Sequence, residues 1–314
     1  MENRHTDKYK ILILGIGGIG GYFGGKLAAH YRDSPEVEVG FFARGAHADE
    51  IAKNGLQLHT TQGNLTARPA YVTDNPDALH PVDLLICCVK SYDLEDSLQR
   101  VRPCISENTI ILPLLNGVDA PARIREMFQG TEVWEGCVYV IARLAAPGIV
   151  KEKGGMGLLY FGSSEASPDK LRRVESVFQA AGVRAEAAVD ILHTIWAKFL
   201  FISAVATATS YLDTSMGAIL EKEDSRQLLL RLLGELQAVA KAKGIILSDD
   251  MIPAMLQRMA SLPYGTTSSM HSDFQKGGKT ELESLTGYVV REGEALDVPV
   301  PTYAKLYAAL KGRS

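Results

Sequence analysis

Gly15, Gly17 and Gly20 stand at the spacing G-x-G-x-x-G, directly after the uninterrupted apolar run of residues 11 to 14. With Ile16, Gly18 and Ile19 they make a loop that runs into helical periodicity, with Tyr22, Phe23, Leu27 and Ala28 on one side. A strand, a glycine turn and a helix start in that order are what a dinucleotide needs. The first glycine makes the turn, the second lets the backbone approach a pyrophosphate, and the third lets helix and strand pack closely. The helix N-terminus adds amide donors and a partial positive charge. The same letters also fit a plain glycine-rich turn in an α/β domain; their place between the first strand and the first helix favours the ligand. The second strand ends in "VEVGFFARGAH", which puts Arg44 where an NAD site usually has a carboxylate, and no acid falls within residues 42 to 48. A guanidinium grips a 2′-phosphate through paired hydrogen bonds, whereas an acid would repel it. NADPH is the cofactor these residues predict, with a solvated loop arginine as the plainer reading of Arg44.

Other candidates are more ambiguous by residue type alone. Lys198 lies in "DILHTIWAKFLFISAVATATSYL", and no charged residue follows it until Asp213. A helix so apolar should be buried between domains. Its lysine either snorkels to solvent or is desolvated, with a lowered pKa and a more easily transferred proton. Asn116 in "LLNG" follows a buried strand and reads equally as an Asn-Gly turn. Thr280 and Glu283 have capping-box spacing, which leaves Glu281 free of that task in the first turn of a helix. Ser269 reads as a helix-start serine, and Lys90 and Ala142 lie at or beyond strand ends, where open α/β sheets bind ligands.

The elements that must position these residues follow from periodicity. Strands at 10–14, 37–42, 56–59, 83–90 and 109–117 alternate with helical stretches at 19–30, 46–54 and 94–101, and a further helix follows the last strand. That rhythm predicts a parallel sheet covered by helices on both faces. Residues 71–73 are expected to pair with the strand at 56–59. Beyond Gly136, "GCVYVIARLAAPGIVKEKGGMGLLYFGS" reads as strands joined by a Pro-Gly turn and a glycine-rich turn, antiparallel at the sheet's end. From Asp190 the strands stop, and helices are expected at 190–212, 223–243, 249–260, 280–295 and 302–311. The fold class is therefore α/β: a Rossmann-type doubly wound sheet over residues 1–188 and an all-α domain over 189–314. The junction of two such halves is the usual place for a site.

Composition narrows the rest. The chain has 314 residues, 46% of them hydrophobic and 22% charged, as a globular protein should. A net charge of −4 with scattered Lys and Arg gives no support for nucleic acid or an anionic membrane surface as partner. Cys87, Cys88, Cys104 and Cys137 show no metal-ligand spacing and read as small core residues of a reducing compartment. No apolar signal region opens the chain, and no stretch reads as a bilayer span. The expectation is a cytoplasmic protein without a metal. The oligomer is left open, a homodimer included.

The motifs together resemble the ketopantoate reductase (2-dehydropantoate 2-reductase) family. They are the glycine loop, "FFARG", "CCVKSYD", "LLNGVD", "GCVYVIARLAAPGIV", "IWAKFLFISAVATA" and "SSMHSDFQKGGKTELESLTGYVV", and they span nearly the whole chain. The resemblance implies NADPH-dependent reduction of ketopantoate to pantoate, a step of pantothenate biosynthesis. It implies that Lys198, two residues after Trp196, polarises the ketone and protonates the developing alkoxide. Ser269 then corresponds to a serine that hydrogen-bonds the substrate, and Glu281 to a glutamate near the cofactor and the substrate's hydroxyl end. Asn116 corresponds to an asparagine beside nicotinamide and substrate, Lys90 to a lysine near the cofactor, and Ala142 to an alanine whose backbone touches it. One departure stands out. Four and eight residues after the lysine the family carries asparagines, and this chain has Ile202 and Ala206; a further asparagine is replaced by Met216. An apolar pocket commonly rejects a polar substrate. The expected substrate is thus a small 2-oxo acid, ketopantoate first, with a more apolar 2-oxo acid as the alternative. A non-catalytic dinucleotide-binding sensor is the reading from another class.

Overall fold

The computed structural model describes residues 8–313, whose contacts fall into two units. One runs through Leu115 and again over Ala120–Ile191; the other comprises Asn116–Asp119 and the chain from Leu192 onward.

The first unit opens with β1 (Tyr9–Leu14), α1 (Gly18–His30), β2 (Val37–Phe42), α2 (Gly45–Asn54), β3 (Leu56–Thr60), β4 (Gly63–Ala67) and β5 (Tyr71–Thr73). It continues through β6 (Leu84–Cys87), α3 (Leu94–Arg100), β7 (Ile110–Pro113), α4 (Ala120–Met127) and β8 (Glu132–Val133). It ends with β9 (Glu135–Ala146), β10 (Ile149–Gly162), α5 (Pro168–Ala180) and β11 (Arg184–Ala187). The main sheet has the order β5-β2-β1-β6-β7-β8 and is parallel throughout. Among its inner strands β6 and β7 are fully buried apolar runs, and β1 and β2 are buried but for Lys10 and Glu38, as a sheet covered on both faces requires. Strand order reverses at β1, with β2 on one side and β6 on the other, so a crevice opens beyond the carboxyl ends of β1 and β6.

Three expectations need correction. Tyr71–Thr73 pairs in parallel with β2, not with β3. β3 instead joins β4, a strand hidden in the sequence because most of "GNLTA" is exposed. The β9–β10 hairpin does not extend the main sheet but belongs to a second one, of order β11-β10-β3-β4 with β9 on β10. Trp134, fully buried, marks the change of sheet: its backbone N–H donates to Ile111 O of the first, and its ring stacks 5.7 Å from Phe161 of the second. The glycine-rich stretch in β10 is not a turn. Gly154, Gly155 and Gly157 take positive φ, the pairing with β9 shifts there, and it resumes at Leu158 opposite Tyr139.

α1 packs against both sheets. A Cβ on Gly24 would press on Ile13 and Phe41 of the main sheet, and one on Gly25 would meet Leu56 and Leu58 of the second. Small residues on this helix are therefore a packing requirement, separate from any ligand.

The second unit contains α6 (Ile191–Leu212), α7 (Met216–Glu221), α8 (Glu223–Ala242), α9 (Met251–Ala260), α10 (Ser269–Gln275), α11 (Tyr288–Ala295) and α12 (Pro301–Lys311). A turn of π-helix, Glu283–Gly287, leads into α11. α6 is long and apolar enough to cross a bilayer by length and composition alone. In this fold it is a core helix, with Phe199, Leu200 and Ala204 fully buried. Of its buried hydroxyls, those of Ser203, Thr207 and Thr209 are committed to neighbours, whereas Ser210 Oγ has no partner among the described residues. Ser203 Oγ donates to Leu285 O at 2.7 Å and meets Tyr303 OH at 2.9 Å, and Thr207 Oγ1 meets Thr286 Oγ1 at 2.8 Å.

Candidate active site

The loop between β1 and α1 is built by contacts of different kinds. Gly15 has φ 88°, and a Cβ there would strike Val89 and Cys88 beyond β6. A Cβ on Gly18 would collide with the Ala142 carbonyl of β9, and one on Gly20 with the Gly15 carbonyl. Gly17 differs: among the described residues, nothing but its own chain neighbours comes within 4 Å of where its Cβ would be. Packing explains the other glycines, whereas at Gly17 the space lies open for a group that is not part of the chain. α1 begins with no side-chain cap and no acid in its first turn, so its leading amides keep their affinity for an anion. Ile16 is buried in the core and Ile19 is half-buried. These features fit a dinucleotide phosphate.

Other cofactor candidates lie around the same crevice. Arg44 is exposed and extended, capping α2, whose first turn also lacks an acid. Lys90 is half-buried where β6 ends and precedes a short 3₁₀ turn. Ala142 brings its backbone over Gly18. His47, which sequence reading passed over, accepts the Gly148 N–H at Nδ1 (2.8 Å) and reaches the Ile16 carbonyl with Nε2 (2.7 Å). Its only sequence signal is its place three residues after Arg44.

In the second unit, Lys198 is half-buried on α6 between the core residues Trp196 and Phe199. Its Nζ donates to Asn116 Oδ1 at 3.0 Å. Asn116 stands just before Gly117, whose φ of 101° turns the chain after β7. This ties a lysine to an amide oxygen 82 residues away in sequence. Glu281 is 4% exposed, directly ahead of the π-turn. The expected capping box does not form: Glu283 accepts instead from Tyr307 OH at 2.7 Å and Arg291 at 3.0 Å. Ser269 is exposed at the first position of α10, while its neighbour Ser268 caps that helix by accepting the His271 N–H at 3.1 Å. One and two turns beyond Lys198, Ile202 is half-buried and Ala206 buried, and Met216 is buried at the start of α7.

None of the four cysteines is in a disulfide, and burial pushes the Cys87 and Cys104 thiols up to about 12, which removes them as thiolate nucleophiles at neutral pH.

Comparison with known proteins extends this picture to both units. The family described as ketopantoate reductase PanE/ApbA matches residues 11–166, and its C-terminal counterpart matches residues 190–314. The chain is 28% identical over 305 residues to the Uncharacterized oxidoreductase YkpB of Bacillus subtilis, covering 96% of this chain and 98% of that one. It is 28% identical over 301 residues to a 2-dehydropantoate 2-reductase of Halobacterium salinarum, covering 95% and 96%. The crystal structure of 2-dehydropantoate 2-reductase from Porphyromonas gingivalis is 39% identical and superposes with a TM-score of 0.84, covering 97% of this chain and 99% of that one. With both halves matched in order, the chain belongs to the ketopantoate reductase family and is an oxidoreductase acting on CH–OH groups.

Proposed function

We propose that this protein reduces a 2-oxo acid to the 2-hydroxy acid with NADPH, and that 2-dehydropantoate is its first candidate substrate, in pantothenate biosynthesis. The observation that carries the reading is the Lys198–Asn116 hydrogen bond, which aims an ammonium from a helix with no other Lys, Arg, Asp or Glu. The loop of Gly15, Ile16, Gly17, Gly18, Ile19 and Gly20, with Lys90 and the Ala142 backbone, would hold the dinucleotide, and Arg44 its 2′-phosphate. When bound, the nicotinamide supplies the hydride that reaches the ketone carbon. Lys198 hydrogen-bonds the ketone oxygen, draws charge toward it and delivers the proton that completes the hydroxyl. Asn116 Oδ1 accepts one of the lysine's three N–H groups and so fixes the direction of the others. Ser269 and Glu281 are the residues assigned to the substrate, and Glu281 to the cofactor as well. Four cysteines outside any disulfide support a reducing compartment such as the cytoplasm.

A second reading has its own observation. Ile202, Ala206 and Met216 offer no hydrogen bond, which favours a 2-oxo acid with a more apolar side chain. A panel of 2-oxo acids, from ketopantoate to branched and aromatic ones, followed by loss of NADPH absorbance, decides between them. Highest kcat/KM for ketopantoate supports the first reading, and preference for an aromatic or branched acid supports the second. No oxidation with any member refutes both.

A further inference from the structure

A loop that offers its N–H groups to a phosphate must turn its carbonyls elsewhere, and each buried carbonyl then needs a donor of its own. Ile16, inside the glycine loop, finds that donor in His47 of α2, whose Nε2 lies 2.7 Å from the Ile16 oxygen. The tautomer follows from the other ring nitrogen. Gly148 N–H donates to Nδ1 at 2.8 Å, so Nδ1 is the acceptor and Nε2 carries the proton. Gly148 is itself anchored: it takes φ 72° in the turn between β9 and β10, and its carbonyl accepts from Gln57 N at 2.8 Å. The hairpin thus touches the glycine loop at two points, through the Ala142 carbonyl over Gly18 and through the His47 ring at Ile16. Burial lowers the imidazole's pKa, which keeps the ring neutral and this donor–acceptor order in place.

We propose that His47 is a positioning residue for the cofactor: by joining the Ile16 carbonyl to the β9–β10 turn, it holds the glycine loop in its phosphate-receiving shape. This role presupposes that the loop binds a dinucleotide, so binding is measured directly, without turnover.

NADPH and NADH are titrated calorimetrically into the full chain without substrate. His47→Leu is expected to weaken both by about tenfold, the effect of leaving a buried carbonyl and a buried amide unpaired. At saturating NADPH its kcat stays within about twofold of wild type, because the cost falls on binding and not on the chemical step. His47→Gln, which keeps both a donor and an acceptor, restores affinity to within about threefold. Unchanged affinity in His47→Leu overturns the role, as does a loss for NADPH alone or a fall in kcat with affinity intact. Should the leucine variant fail to fold, nitrogen NMR of the wild-type ring serves instead. The Nε2–H tautomer and a shift of Nδ1 on adding NADPH are expected, and an unmoved resonance overturns the role. A wild-type protein that binds neither dinucleotide refutes the cofactor reading itself.

Discussion

At the scale of single residues, the sharpest expectation concerns Lys198. Removing a general acid costs about 10²–10⁴ in rate. Lys198→Ala should therefore cut kcat by that order while calorimetric NADPH affinity stays near wild type; unchanged turnover would remove the lysine from the chemistry. Arg44 tests the cofactor instead. Because it is exposed, its contact is partly screened, so Arg44→Ala should weaken NADPH by about tenfold, the lower end for a charge-assisted pair, and leave NADH unaltered. An equal loss for both would make it a loop support. His47 adds a pH dependence to stability. Its folded pKa lies below the ordinary 6.5, so the unfolded chain takes up the proton first. That contribution is whole above pH 6.5, falls as pH drops from there through the lowered folded value, and is flat below it. Urea unfolding at pH 7.5 and 5 should show a larger drop in wild type than in His47→Gln. Lys198 stood out as the one Lys, Arg, Asp or Glu of an apolar helix, but its pattern alone fitted snorkelling equally, and only the family resemblance, with Trp196 two residues before it, pointed to chemistry. His47 was not legible, since one histidine in a helical stretch shows nothing until its two ring partners, distant in sequence, are known.

At the scale of elements, the π-turn Glu283–Gly287 is the piece that places Glu281, and α6 holds it through Ser203 and Thr207. A π-turn breaks the regular backbone pattern, and side chains supply part of what the pattern loses. Thr207→Val leaves the buried Thr286 hydroxyl unpaired and should cost about 1–3 kcal/mol, read as a lower urea midpoint. Thr207→Val with Thr286→Val removes both partners and should recover most of it. A double variant no better than the single would show that the pair is not the source. β1 and α1 were readable because strand burial and glycine spacing are local signals. α7 has only six residues, and α10 only seven, too short for a helical period to declare itself. The triple glycine of β10 looked like a reversal because positive φ marks turns and bulges alike. Which of the two it becomes depends on the strand beside it, and β9 lies beyond any local window.

At the scale of the whole molecule, each unit has a core of its own: one cluster on either face of the main sheet in the first, only one of them around α1, and one around α6 in the second. Ligand linkage reports on the first without any knowledge of the substrate. NADPH at a hundred times its Kd should add about 2.7 kcal/mol and raise Tm by several degrees, with no 2-oxo acid present. An unmoved midpoint would mean that the glycine loop is not a dinucleotide site. The second unit is discontinuous, because Asn116–Asp119 belongs to it although 72 residues of the first unit, Ala120–Ile191, follow in the chain. During synthesis that tetrapeptide leaves the ribosome long before the lysine it will hold. The same feature constrains recombination between relatives. A helical half exchanged at residue 190 arrives with its own lysine but inherits the host's asparagine segment. Crossovers that keep activity should therefore either match the two parents at residues 116–119 or carry those four residues along with the graft.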